Sequence, residues 1–294
     1  MRDIYAAIDQ IVLSDGFAAS FVCDILRVGR SGFYAWRSGV ESKRELRDQE
    51  LMPLIREIFW HHRRRYGARR IAAELRRRDI AVGVARVARL LKTQGLQAIQ
   101  PKSFTPKTTQ SRHRLGYNDN LLIGESEPSN INEVWVGDIT YIPLRSARFG
   151  YMAMLLDLYS RRIVGWEYGS SMTDDLVIAA LHRAIGVRQP RAGLIHHTDR
   201  GGQYASKSYR AVLRRAEIRQ SMSAAGSCYD NAFMESCFGT IKTELELVDY
   251  ADGSEAVREL GEYVRYYNLE RRHSALSYDT PIEFETNLNP SHQP

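Results

Sequence analysis

The chain has 294 residues, of which 44% are hydrophobic, 10% aromatic and 26% charged, and it carries a formal charge of +6. That length predicts two or so domains with ample core, and the composition excludes disordered, collagen-like and coiled-coil chains. Cys23, Cys228 and Cys237 form no CxxC pair, which argues against a disulfide framework or a structural zinc site. No apolar run reaches the roughly 18 residues of a membrane span, and charges break the N-terminal apolar residues, so a cytoplasmic protein without a membrane partner is expected.

The charge is unevenly divided. Residues 1–116 hold 23 Lys and Arg against 11 Asp and Glu, net +12, while residues 117–294 hold 18 against 24, net −6. A basic front joined to an acidic back suggests a nucleic-acid-binding region attached to something different. Arg outnumbers Lys 35 to 6; its planar fork suits phosphate and guanine edges, although GC-rich coding yields the same bias.

Residues 1–40 predict short helices over DIYAAIDQIVL, AASFVCDILRV and SGFYAWR, with a turn at Gly29 to Gly32. This is compatible with a helix-turn-helix or with a small bundle that touches no DNA. From Glu41 to Arg63, Leu46, Met52, Ile55, Ile58 and Phe59 mark an amphipathic helix. Residues 66–96 hold two more, with stripes at Ile71, Ala72 and Leu75 and at Val87, Leu90 and Leu91, separated by a turn near Asp79 to Gly83. On the second of these, Arg86, Arg89 and Lys92 recur every three residues, as groups for phosphates and base edges would on a recognition helix. Region 41–96 is therefore expected to bind DNA. Residues 97–130, polar and with three prolines, suggest an extended linker.

Strands follow over EVWVGDITYIPL, YMAMLLDLYS and RIVGWEYGSS. After them come a helix over TDDLVIAALHRAIGV with Thr173 as N-cap, a short run LIHHTD, a helix from Ser206 to Ala216 and a strand IRQSMS. That order predicts an α/β domain over 131–245, with a mixed five-stranded sheet and flanking helices in the RNase H-like arrangement. Residues 246–294 are expected to form a helical extension.

Three carboxylates stand where such a sheet gathers them. Asp138 is in the first strand, Asp199 follows the fourth, and Glu235 is on a later helix, with 60 and 35 residues between them. Carboxylates so placed can hold two divalent cations, Mg²⁺ with Mn²⁺ as substitute, for phosphoryl transfer. On the Glu235 helix Met234, Cys237, Ile241 and Leu245 form the core stripe. Asn231, Glu235, Gly239 and Lys242 share a neighbouring face, and Lys242 lies about 20° around the helix from Glu235, two turns on. Gly239 either admits a DNA backbone or packs tightly against a helix. SAAGSCYD before the helix suggests a mobile loop, with Ser227 and Asp230 spaced as a capping box.

These residues resemble the DDE transposases with a retroviral-integrase-type core, specifically OrfB of the IS-three family of bacterial insertion sequences. The resemblance spans nearly the whole chain in five blocks: YGARRIAAELRRR with the next helix, WVGDITYIP, HHTDRGGQYAS, GSCYDNAFMESCFGTIKTE and YYNLERRHSALSYDTPIEF. It implies that Asp138, Asp199 and Glu235 are the catalytic, metal-binding triad and that Lys242 is the basic residue after it. Cys237 departs from the family's usual aromatic and bears on packing.

The resemblance also implies metal-dependent 3′-end cleavage and strand transfer on double-stranded DNA, a homo-oligomer pairing two element ends, and an OrfA partner or frameshift fusion supplying a further DNA-binding part. His196 and His197 flank Asp199 as phosphate donors or as structural groups. Gln203 and Tyr204 follow a Gly-Gly turn and are either DNA contacts or part of a bland turn, Asn231 orients Glu235 or DNA, Trp135 packs in the core, and Tyr266 to His273 serve structure or DNA contact. The rival readings are an RNase H-like nuclease and a DNA-binding regulator without strand transfer.

Overall fold

The computed structural model describes residues 1–39, 41–100, 116–123, 127–146, 149–223, 232–246 and 249–288. The chain divides into two compact units, Met1–Ala98 and Ile99–Pro294.

The first unit is helical: α1 (Arg2–Asp15), α2 (Ala19–Ile25), α3 (Arg30–Arg37), α4 (Lys43–His61), α5 (Ala68–Arg77) and α6 (Val84–Thr93). The first three helices close around Ile8, Val22, Cys23 and Phe33. The predicted turn at Gly29 to Gly32 is shorter than expected. Gly29 caps α3 and Gly32 lies inside it, where a Cβ would collide with the Tyr5 hydroxyl.

Helix α4 starts at a full capping box, in which Ser42 Oγ accepts from the Glu45 amide and Glu45 accepts from the Ser42 amide. It buries Leu51, Ile55, Ile58 and Phe59, while the expected Leu46 is exposed. Helices α5 and α6 bury the predicted stripes, Ile71, Ala72 and Leu75 on one and Val87, Leu90 and Leu91 on the other. Each fully buried aliphatic side chain contributes roughly 1.5–3 kcal/mol relative to exposure, so three helices that are short alone hold together as a helix-turn-helix-like bundle.

The second unit is built on β1 (Val134–Pro143), β2 (Phe149–Asp157), β3 (Ile163–Gly169), β4 (Ile195–Thr198) and β5 (Arg219–Met222), in the spatial order β3-β2-β1-β4-β5. The first three strands are antiparallel, and β4 and β5 add in parallel. This is the mixed five-stranded sheet expected of the RNase H-like class. Helices α7 (Asp174–Arg188), α8 (Gly202–Ala205) and α9 (Lys207–Arg215) join the later strands, and α10 (Ala232–Glu244), α11 (Gly253–Leu269) and α12 (Pro281–Leu288) follow. Thr173 holds the N-cap position of α7 but makes no side-chain cap bond, and Asp174 and Asp175 favour the helix start instead.

One core lies under the sheet, formed by Trp135, Leu155, Val177, Leu181, Tyr204, Tyr209 and Met222. Both sheet edges are covered. At β3 the Asn268 side chain accepts from the Ile163 amide and donates to the Ile163 carbonyl, standing in for a neighbouring strand. At β5, part of the expected linker is docked. The Met222 amide donates to the Asp119 carbonyl, the Leu121 amide donates to Ser221 Oγ, and the Asn118 amide side chain donates to Gln220.

Candidate active site

Strand register builds the site. In the parallel β1–β4 pair Gly137 stands opposite Thr198, so the next residues, Asp138 and Asp199, leave neighbouring strands at one end of the pair despite the 60 residues between them. Gly137 is required there, because a Cβ would lie 2.7 Å from the His196 ring packed beneath the strand. Asp199 is held by a local turn in which its Oδ1 accepts from the Gly201 amide at 2.9 Å. Asp138 accepts from the Ile139 amide at 2.7 Å.

Helix α10 packs on β1 and brings Glu235, in its first turn, and Lys242, in its last, to the same neighbourhood. Burial, then the negative charges of Asp199 and Glu235, push the Asp138 carboxyl up to about 8, while Lys242 pulls it down. Burial lowers Lys242 in turn, and Asp138 supports its charge. Among the described residues no three His, Cys, Asp or Glu side chains close on one point able to hold a metal ion. The three carboxylates share a field without forming a finished cage.

The core stripe of α10 is Met234, Cys237, Phe238 and Ile241. Glu244, rather than the expected Leu245, turns inward, where it accepts from Arg271 at 2.8 Å and from the Tyr263 hydroxyl at 2.8 Å. Gly239 is exposed, and a Cβ there would meet no atom of another described residue within 4 Å, so among the described residues nothing packs tightly against this glycine. Cys237 is a buried thiol bonded to the Tyr267 hydroxyl, and burial pushes it up to about 11, which keeps it protonated and inert.

The remaining predicted residues divide. His196 is fully buried between the Trp135 carbonyl and the Tyr209 hydroxyl, and burial lowers it to about 4, so it is a neutral structural group. His197 is buried and bonded to Ser221 Oγ. Tyr204 is 3% exposed. It is core, edge-on to Tyr209 and His196, because α8 turns its ring inward. Gln203 donates to the Met172 carbonyl, tying α8 to the residues before α7. Trp135 is fully buried, as expected.

Arg86 and Arg89 both pair with Asp48 on α4, at 2.8 and 2.6 Å, and Lys92 is exposed. Asn231, and the loop with Ser227 and Asp230, lie outside the described residues. The block from Tyr266 to His273 is structural where its partners are visible, since Arg271 pairs with Glu244 and Arg272 with Glu283. No sequence signal short of long-range pairing would have found these contacts.

Comparison with known proteins shows the family to which the chain belongs. Residues 128–228 and 216–281 match two integrase core domain family models, and residues 45–104 match an HTH-like domain. A 31 kDa protein of insertion element IS600 from Shigella sonnei is 39% identical over 265 residues, covering 90% of this chain and 97% of that protein. Transposase InsF for insertion sequence IS3A of Escherichia coli K12 is 37% identical over 274 residues, covering 92% and 94%. A simian T-cell lymphotropic virus intasome chain is 16% identical, with a TM-score of 0.45 over 82% of this chain and 75% of that one. On its near end-to-end identity with insertion-sequence proteins and its integrase core, the chain belongs to the OrfB transposases of the IS3 family.

Proposed function

We propose that this transposase cuts DNA at the 3′ ends of its element and transfers the freed ends, using Asp138, Asp199 and Glu235 as a metal-binding triad. The observation that carries the reading is geometric: parallel register sets Asp138 and Asp199 at the same end of neighbouring strands, and α10, packed on β1, carries Glu235 in its first turn. Burial first, and then the negative charges of Asp199 and Glu235, push the Asp138 carboxyl up to about 8. Such repulsion is relieved by a divalent cation, and an all-oxygen donor set suits Mg²⁺, with Mn²⁺ as substitute. When bound, two such ions supply Lewis-acid stabilisation of the attacking and leaving oxygens.

The chain's own groups do the rest. Asp138 and Asp199 are set by strand register and local turns, Glu235 is delivered by α10, and Lys242 offers a cation to the DNA phosphate. Open space over Gly239 leaves room for the backbone of the DNA. In the first step a water oxygen bonds to phosphorus and the 3′ oxygen leaves as a hydroxyl. In the second that hydroxyl attacks another phosphodiester in line and expels its 3′ oxygen as a hydroxyl, so this step conserves the number of phosphodiester bonds. Residues 41–96 are proposed to bind element DNA through Arg86, Arg89 and Lys92, and residues 131–245 to form the catalytic core. Gln203 and Asn231 are proposed as further DNA contacts. The working form is proposed to be an oligomer pairing two ends, with an upstream OrfA partner or fusion.

Labelled element-end DNA incubated with Mg²⁺ and the chain, alone and fused to the upstream frame, tests this. Glu235→Gln is expected to lower cleavage and joining by at least about 100-fold, the scale of losing a group that acts in the transition state. Undiminished cleavage by the variant overturns the triad. Specific binding without cleavage by either form favours a DNA-binding regulator, and cutting of RNA in a hybrid favours an RNase H-like nuclease.

A further inference from the structure

The turn between β2 and β3 is braced far beyond what a hairpin requires. Asp157 Oδ1 accepts from the amides of Tyr159 and Ser160 at 3.1 and 3.0 Å, and Oδ2 accepts from the Asn132 amide at 2.7 Å. The Arg161 amide donates to the Asp157 carbonyl, and the Asp157 amide to the Arg162 carbonyl. Asp157 is fully buried beside Arg188, which shares Glu285 with Arg162. This bracing holds Arg161 at φ 60°, in the left-handed region that non-glycine residues adopt uncommonly.

The side chain so fixed reaches α10. The Arg161 guanidinium lies 4.4 Å from the centroid of the Phe233 ring. Among the described residues it makes no side-chain hydrogen bond and no ion pair. Burial pulls its pKa down, and the neighbouring Tyr267, Glu127, Asp157 and Cys237 raise it, of which Glu127 and Asp157 are the carboxylates. A partly desolvated guanidinium held over an aromatic face gains a cation–π attraction from that face.

Phe233 is the second residue of α10 and is 41% exposed, so burial alone does not hold it, and the core stripe of the helix begins only at Met234. First turns lack intrahelical partners for their amides and fray unless tied. The far end of α10 is tied by Glu244 and Arg271, and its near end by Arg161 on Phe233. Glu235 is two residues beyond the clasped ring.

We infer that Arg161 is a positioning residue, and that its clasp on Phe233 fixes the first turn of α10 so that Glu235 meets Asp138 and Asp199 in metal-binding register. This rests on the proposed triad. The arginine touches neither DNA nor metal, and acts only through where it places the helix.

Mn²⁺ binding to the full chain, followed by the electron paramagnetic resonance signal of the free ion, tests the clasp beside thermal unfolding. Arg161→Ala and Phe233→Leu are each expected to weaken Mn²⁺ binding about threefold to tenfold, the range for one partly desolvated cation–π contact. The double variant should be no weaker than the poorer single, and Phe233→Trp should keep wild-type affinity. The half-saturating Mg²⁺ concentration for cleavage should rise in step. Mn²⁺ affinity within twofold of wild type in either single variant overturns the clasp, and a lowered Tm with unchanged affinity does the same by showing a merely structural contact. Should Arg161→Ala fail to fold, the exposed Phe233→Leu still decides. Glu235→Gln run in parallel separates the two readings: if it keeps Mn²⁺ binding and cleavage, the triad itself fails; if it loses both while the clasp variants do not shift, only the clasp fails.

Discussion

In the helical unit Arg86 and Arg89 share the Asp48 carboxylate at an open surface, with 31% and 40% of their side chains exposed. In the sheet unit Arg271 meets Glu244 with 6% and 7% exposed. The chemistry of the two contacts is the same and their consequences are opposite. A surface pair is worth roughly 0–1 kcal/mol and is screened by salt, so its cations are free to exchange a carboxylate for a phosphate. A buried pair has no water to replace a lost partner, and Glu244 holds the Arg271 guanidinium firmly charged in spite of burial. Arginine abundance in a sequence therefore says little about DNA until one knows which arginines can leave their partners.

The sharpest break of that contrast is Arg271→Met. It should cost about 3–5 kcal/mol in urea unfolding because Glu244 is left buried and unpaired, and adding Glu244→Leu should recover much of the loss. A cost below 1 kcal/mol for the single variant would place this pair with the surface ones.

Acid extends the contrast to a neutral buried group. The folded pKa of His196, about 4, lies below its usual 6.5, so its contribution to stability is fully present above pH 6.5 and is lost as pH falls toward 4. The loss should approach about 3 kcal/mol, confined to the transition of the sheet unit, and should vanish in His196→Asn. A flat profile of Tm against pH over that window in the wild type would show that the imidazole finds solvent.

The smallest expected effect is at Asp48→Asn. Stability should change by less than about 1 kcal/mol, while DNA affinity rises a few-fold as Arg86 and Arg89 are released. Arg86→Ala with Arg89→Ala should instead flatten the salt dependence by nearly two phosphate contacts, about 0.9 each in log–log slope. Weaker DNA binding by Asp48→Asn would mean that Asp48 aims the arginines rather than occupying them.

What the sequence discloses follows from the range of each interaction. The stripes of α5 and α6 and the alternation of helices and strands are local periodicities, and they were legible. So was the spacing of Asp138, Asp199 and Glu235, because the flanking words around each are distinctive. The inward turn of Glu244 depends on Arg271, 27 residues on, and the occupation of Arg86 depends on Asp48, 38 residues back. Neither leaves a mark in its own neighbourhood. Tyr204 stays open between a DNA contact and a bland turn in the sequence for a related reason: four residues of α8 are too few to show a period, and only the fold reveals that the ring faces the core.

The β1–β4 seam has a further consequence, for the order of assembly. The β1–β2–β3 meander closes short loops, whereas pairing β1 with β4 closes one of some sixty residues, and loop-closure entropy makes such non-local pairings the slow ones. Asp138 is thus presented early on a hairpin that holds none of its proposed partners. Asp199 arrives with the late strand, and Glu235 only once α10 docks on the completed sheet. A nascent or half-folded chain carries the residues of the proposed DNA-cutting centre without the centre, so that on this order of assembly chemical competence is withheld until folding is finished.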